Sequence, residues 1–168
     1  MTRPIAVLGA GGWGTALAVH LARAGHPVRL WGRDESLVEE IRRLGVNRTY
    51  LPDAVLPEGL QVTSQLDEVF EGAELVVSAV PSHGTRDVLH RATLYIPSGA
   101  IVVSATKGLE SGTLFRMSEV VEQELGVGHD VAVLSGPSFA AEVVKGLPTA
   151  VCVASASAAA VTQVQADF

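Results

Sequence analysis

The sequence predicts an α/β fold, a doubly wound and mostly parallel sheet with helices on both faces. Three observations carry this expectation. Short apolar runs alternate along the chain with longer segments of helical period. Apolar residues make up 48% of the 168 positions, enough to bury a sizeable core. Gly9, Gly11 and Gly14 lie directly between the first apolar run and the first helical segment.

The elements follow in order. "PIAVL" at 4–8 is the first strand, followed by a helix over 13–24, a strand over 27–31 ("PVRLW") and a helix over 35–44. A long connection at 45–59 carries two prolines and two glycines and reads as a loop, which at that length is functional or mobile. Next come a strand at 60–63, a helix at 65–71, a strand at 74–80 ("ELVVSAV") and a helix at 83–95. A strand at 100–105 ("AIVVSA"), a helix at 112–125, a strand at 131–135 and a helix at 139–145 continue the alternation. The strand at 148–154 follows its helix after only a "GLP" turn, too short for a crossover, so it runs antiparallel at a sheet edge. A last helix, 157–167, reaches Phe168 without a capping signal, so the expectation is one cofactor-binding domain over 1–168 whose fold continues beyond the sequence.

Composition excludes several functions. Twelve basic against eighteen acidic residues give a net charge of −6, which argues against a nucleic acid or an anionic membrane as main partner. No apolar run reaches the roughly 18 residues of a membrane span. The opening "MTRPIAVLG" enters a strand at once, without the regions of a secretory leader, so the default location is cytoplasmic. Cys152, the single cysteine, forms no internal disulfide and reads in "TAVCVAS" as a buried strand thiol. His20, His26, His90 and His129 show no metal-ligand spacing, so no metal is expected.

Gly9-x-Gly11-x-x-Gly14 in a strand–loop–helix setting is a dinucleotide-binding signature of Rossmann type. The first glycine makes the tight turn, the second lets backbone approach a diphosphate, and the third lets helix and strand touch. After the second strand the chain reads Trp31-Gly32-Arg33-Asp34. Arg33 suits a ribose 2′-phosphate, with the small Gly32 leaving room, so NADP(H) is favoured over NAD(H). The alternative makes Arg33 a solvated turn residue and Asp34 the ribose ligand.

Three further strand ends carry unusual residues: "AVPSHG" at 79–84, "SATKGLE" at 104–110 and "LSGPSFAAEV" at 134–143. In a parallel sheet they converge on one crevice. Lys107, one of two lysines, points there; a solvated surface charge is the competing account. Ser138 offers its hydroxyl and nearby N–H groups to a phosphate, or simply caps the following helix. His83 is either an acid–base group or a loop residue beside the cofactor.

Together these residues resemble bacterial glycerol-3-phosphate dehydrogenase that uses NAD or NADP. The resemblance rests on "GAGGWGTALA" (9–18), "LWGRD" (30–34), "YLP" (50–52), "VPSH" (80–83), "ATKGLE" (105–110), "SGPSFAAEV" (135–143) and "LPTAV" (147–151), in the family's order. It implies cofactor contacts at Gly12, Trp13, Arg33, Tyr50, Lys107 and Ala140. It implies glycerol 3-phosphate contacts at Lys107, Gly136 and Ser138, Lys107 acting electrostatically. The implied reaction reduces dihydroxyacetone phosphate to sn-glycerol 3-phosphate for phospholipid synthesis, and the whole enzyme is compatible with a homodimer. Family members continue into a helical domain that carries the proton-transferring lysine, so this chain is expected to bind cofactor with little turnover. The alternatives are a hydroxyacyl-CoA, ketopantoate or 6-phosphogluconate type of dehydrogenase, or a non-catalytic nucleotide sensor.

Overall fold

The computed structural model describes residues 2–168. The elements are β1 (Ile5–Leu8), α1 (Gly12–Arg23), β2 (Val28–Trp31), α2 (Glu35–Leu44), β3 (Gln61–Thr63), α3 (Leu66–Val69) and β4 (Leu75–Ser78), then α4 (Ser82–Ala92), β5 (Ile101–Ser104), α5 (Met117–Leu125), β6 (Val131–Ser135), α6 (Ala140–Val144), β7 (Cys152–Ser155) and α7 (Ala158–Asp167). They build a seven-stranded sheet in the order β3-β2-β1-β4-β5-β6-β7. Every pairing is parallel except β6 with β7, the antiparallel edge the short turn implies.

Both faces of the sheet are buried, which is why its inner strands read as unbroken apolar runs. Alternate residues of β1 serve opposite cores. Ile5 and Val7 pack with Leu17 and Leu21 of α1, Val38 and Ile41 of α2, and Val164 of α7. Ala6 and Leu8 pack with Val69 of α3, Val88 and Leu89 of α4, and Val121 of α5. The strand order reverses between β1 and β4, opening a crevice beyond their carboxyl ends.

The long connection corrects the view of a loose loop. Val46 bridges Val55, while Leu51 and Ala54 bury against Ala16 and Val19 of α1. The loop is a strap packed over the first helix. The fifth helix begins at Met117, later than the sequence suggests, because residues 109–116 turn back on themselves. Leu109 bridges Arg116, and the Glu110 N–H donates to Phe115 O at 2.9 Å. Leu114 sits at φ 61°, outside the right-handed helical region. The strand expected from 148 starts at Cys152, since Ala150 and Val151 instead pack against Gly136. The buried-thiol expectation fails as well: Cys152 is exposed, because it lies at the open end of an edge strand opposite the exposed Ser135.

Candidate functional site

The glycine loop separates into two kinds of glycine. A Cβ on Gly14 would stand 1.9 Å from Gly9 O, and one on Gly9, at φ 108°, would stand 2.9 Å from Ala79 O. Both are needed for α1 to sit against β1 and β4. Gly11 differs, because a Cβ there meets nothing within 4 Å. Protein packing therefore does not require glycine at 11; a ligand approaching the backbone would. Gly11 is the N-cap of α1 and supplies no side-chain cap, which leaves helix N–H groups and their positive dipole open to an anion. The loop thus fits the diphosphate of a dinucleotide.

One cleft beside this loop, about 260 Å³, is lined by Gly11, Arg33, Asp34, Tyr50 and His83. Arg33 and Tyr50 are exposed. Asp34 caps α2, its Oδ1 accepting from Ser36 N at 2.9 Å and Leu37 N at 3.1 Å. Gly32 has a packing role: a Cβ would lie 2.9 Å from Ala10 Cβ and 3.0 Å from Val38 Cγ2. That close fit, rather than space for a phosphate, explains its small size. His83 is the second residue of α4, not a loop residue, and is exposed at the same cleft.

The adjoining cleft, about 360 Å³, shares Val80 and Pro81 with the first and is lined by Trp13, Lys107, Ser138 and Ala140. Trp13 Nε1 donates to Ala105 O at 3.0 Å, tying the glycine loop to the end of β5. Lys107 Nζ lies 5.6 Å from the Trp13 ring centroid. It donates to Gly136 O and Ser138 O, both at 3.3 Å, and approaches Ser138 Oγ at 3.4 Å. Ser138 is buried and does not cap α6, whose N-cap is Phe139 with no side-chain bond; its Oγ donates to Gly136 O at 3.3 Å. The cap account of Ser138 is overturned. Gly136, at φ 155°, tolerates no side chain, since a Cβ would meet Ala150 O at 2.7 Å.

The two clefts meet at Val80 and Pro81 as one trench lined by Gly9, Gly11, Trp13, Arg33, Tyr50, Lys107, Ser138 and Ala140. Of the other expected residues, Gly14 is buried beneath the loop against Gly9, Gly12 packs toward Tyr50, and Gly136 stands behind Lys107 as an acceptor. A larger groove, about 650 Å³ between α2, β3 and residues 56–60, contains none of them. No cluster of three metal-ligating side chains occurs among the described residues.

Sequence reasoning missed the ionic clamp on the turn that follows Lys107. Arg86 of α4 donates to both oxygens of Glu110, at 2.6 and 2.9 Å, and to Glu124 of α5 at 2.6 Å. Thr113 donates to Glu110 at 2.6 Å. These donors, Arg86 first and Thr113 next, hold the Glu110 carboxyl down at about 2, and the two carboxylates raise Arg86. The clamp anchors the turn that follows Lys107. Glu110 stands inside the "ATKGLE" block, but nothing in the sequence names Arg86 as its partner.

The parallel sheet, the switch point and the glycine loop at a helix start define a dinucleotide-binding domain of Rossmann type. Residues 4–161 match the family model described as NAD-dependent glycerol-3-phosphate dehydrogenase N-terminus. The chain belongs to that family. It is 49% identical over 152 residues to glycerol-3-phosphate dehydrogenase [NAD(P)+] of Thioalkalivibrio sulfidiphilus, covering 90% of this chain and 46% of the relative. With the enzyme of the same name from Thermoanaerobacter it shares 46% identity over 164 residues, covering 98% and 49%. The crystal structure of glycerol-3-phosphate dehydrogenase from Coxiella burnetii superposes with a TM-score of 0.89 at 42% identity, covering 99% of this chain and 49% of that one. The chain spans about half the length of the curated relatives it matches.

Proposed function

We propose that these 168 residues are the cofactor-binding part of an enzyme that interconverts dihydroxyacetone phosphate and sn-glycerol 3-phosphate with NADP(H), or less favourably NAD(H). One observation carries the reading: the uncrowded backbone of Gly11 and the exposed Lys107 line adjoining clefts that meet at Val80 and Pro81. A non-catalytic nucleotide sensor needs the cradle but no ammonium at its far end.

The diphosphate lies on the open N–H groups at the start of α1, with the adenosine beside Arg33 and Tyr50. Arg33 pairs with a 2′-phosphate; the engagement of Asp34 Oδ1 as a helix cap supports that choice over Asp34 as ribose ligand. The nicotinamide, when bound, supplies or takes the hydride. Lys107 stabilises the negative charge that grows on the substrate's carbonyl oxygen, or pairs with the substrate phosphate. Its ammonium is held by weak contacts of 3.3 to 3.4 Å, so moving to a substrate costs little. Gly136 and Ser138 line the substrate side. The proton that completes ketone reduction comes from a group outside these residues, so the chain alone binds cofactor and turns over little.

Calorimetric titration with NADPH and NADH, beside an assay of dihydroxyacetone phosphate reduction, tests this. Saturable NADPH binding without turnover is expected. Failure to bind either dinucleotide contradicts the cofactor reading, and appreciable turnover contradicts the incomplete substrate site.

A further inference from the structure

Asn47 lies in the strap, is fully buried, and occupies no position that the resemblance or the trench assigns a role. Its Nδ2 donates twice, to Ala10 O at 2.9 Å and to Thr15 Oγ1 at 2.8 Å. Its Oδ1 accepts from Tyr50 N at 3.2 Å. One side chain thus joins the glycine loop, the first turn of α1 and the backbone of Tyr50. The close approach is mutual: a Cβ on Gly12 would stand 3.2 Å from Tyr50 O.

The bond to Ala10 O has a directional consequence. In a trans peptide the C=O and the following N–H point opposite ways. Drawing the Ala10 carbonyl inward to the buried Asn47 therefore turns the Gly11 N–H the opposite way, outward. No protein group among the described residues accepts from Gly11 N.

We infer that Asn47 is a positioning residue for the dinucleotide: by fixing the Ala10–Gly11 peptide it aims the Gly11 N–H at the diphosphate, and through Tyr50 N it couples the strap to the same ligand. The inference rests on the cofactor reading above. An aspartate at 47 keeps the acceptor for Tyr50 N but sets an oxygen against Ala10 O, so it cannot hold that peptide.

The test compares ADP-ribose, which carries the diphosphate, with adenosine, which does not, on the wild-type chain and on Asn47→Ala and Asn47→Asp. Loss of an aimed hydrogen bond to a charged group predicts ADP-ribose affinity about tenfold weaker or worse, with adenosine affinity changed less than about twofold. Equal weakening of both ligands shows a merely structural residue and overturns the inference, as does unchanged ADP-ribose binding. If neither variant folds, amide NMR of the wild-type chain decides: the Gly11 amide must be among the largest shifts on adding ADP-ribose, and a still Gly11 during saturable binding overturns the inference. A wild-type chain that binds no ADP-ribose overturns the cofactor reading and this inference with it.

Discussion

Trp13 and Lys107 stand as ring and ammonium 5.6 Å apart, although they lie far apart in sequence. The indole reaches across the trench because its Nε1 is bonded to Ala105 O, two residues before the lysine. The cofactor loop and the lysine turn are therefore set by one side chain. Replacing Trp13 with Phe keeps a ring beneath the ammonium but removes the donor to Ala105 O. Urea denaturation should show a loss of about 1 kcal/mol. Trp13→Ala, which also strips the half-buried ring, should cost more, about 2 kcal/mol or above.

Gly11 and Gly14 make opposite predictions from one motif. A methyl on Gly14 collides with Gly9 O, so Gly14→Ala should lower the thermal midpoint sharply, by more than about 2 kcal/mol in stability. Gly11→Ala meets no protein atom within 4 Å and should cost only the N-cap preference for glycine, about 1 kcal/mol or less, while weakening NADPH binding by about tenfold or more. Calorimetry paired with thermal unfolding separates the two. Equal loss of stability in both variants contradicts the division of roles.

Arg33 is exposed beside the Gly11 cleft and its neighbour Asp34 is engaged in capping α2. Arg33→Ala should reduce NADPH affinity by about tenfold, the scale of one charge-assisted contact, and leave NADH binding within about twofold. An unchanged ratio of the two affinities removes Arg33 from cofactor selection.

The Arg86–Glu110 clamp predicts a pH dependence with a definite sign. Hydrogen bonds from Arg86 and Thr113 lower the Glu110 carboxyl from 4.5 to about 2. A carboxylate depressed in the folded state contributes stability that is complete above its unfolded value and is lost as pH falls toward the folded one. The segment after Lys107 should loosen between about pH 4.5 and 2. Hydrogen exchange at Glu110 and Leu114, whose amides bond within the turn, measures this. In Glu110→Gln the exchange should be faster at neutral pH and should lack the acid step.

Much of this architecture was legible because it follows from periodicity and glycine placement. Apolar runs buried on both faces marked β1, β2, β4 and β5, and the short turn before Pro148 gave the antiparallel edge. Long-range pairing was not legible. Asn47 looked like any polar loop residue, since its partners Ala10 and Thr15 lie more than thirty positions away. Arg86 and Glu110 carried no local sign of each other, and the turn at 109–116 defeated helical periodicity because Leu114 takes a left-handed backbone. Cys152 misled for another reason: the sequence places its strand at an edge but does not say which of its faces stays uncovered, and the face carrying Cys152 is exposed. Ser138 stood where a cap would stand, but its hydroxyl is drawn to Gly136 O instead.

The central claim is that one dinucleotide lies along the trench from Arg33 to Lys107, and an amide NMR titration with NADPH tests it most directly. The predicted result is a saturable set of shifts at Gly9, Gly11, Gly12, Arg33 and Lys107, with residues 57–62 of the groove between α2 and β3 unmoved. Shifts confined to that groove, or none at millimolar NADPH, would contradict it.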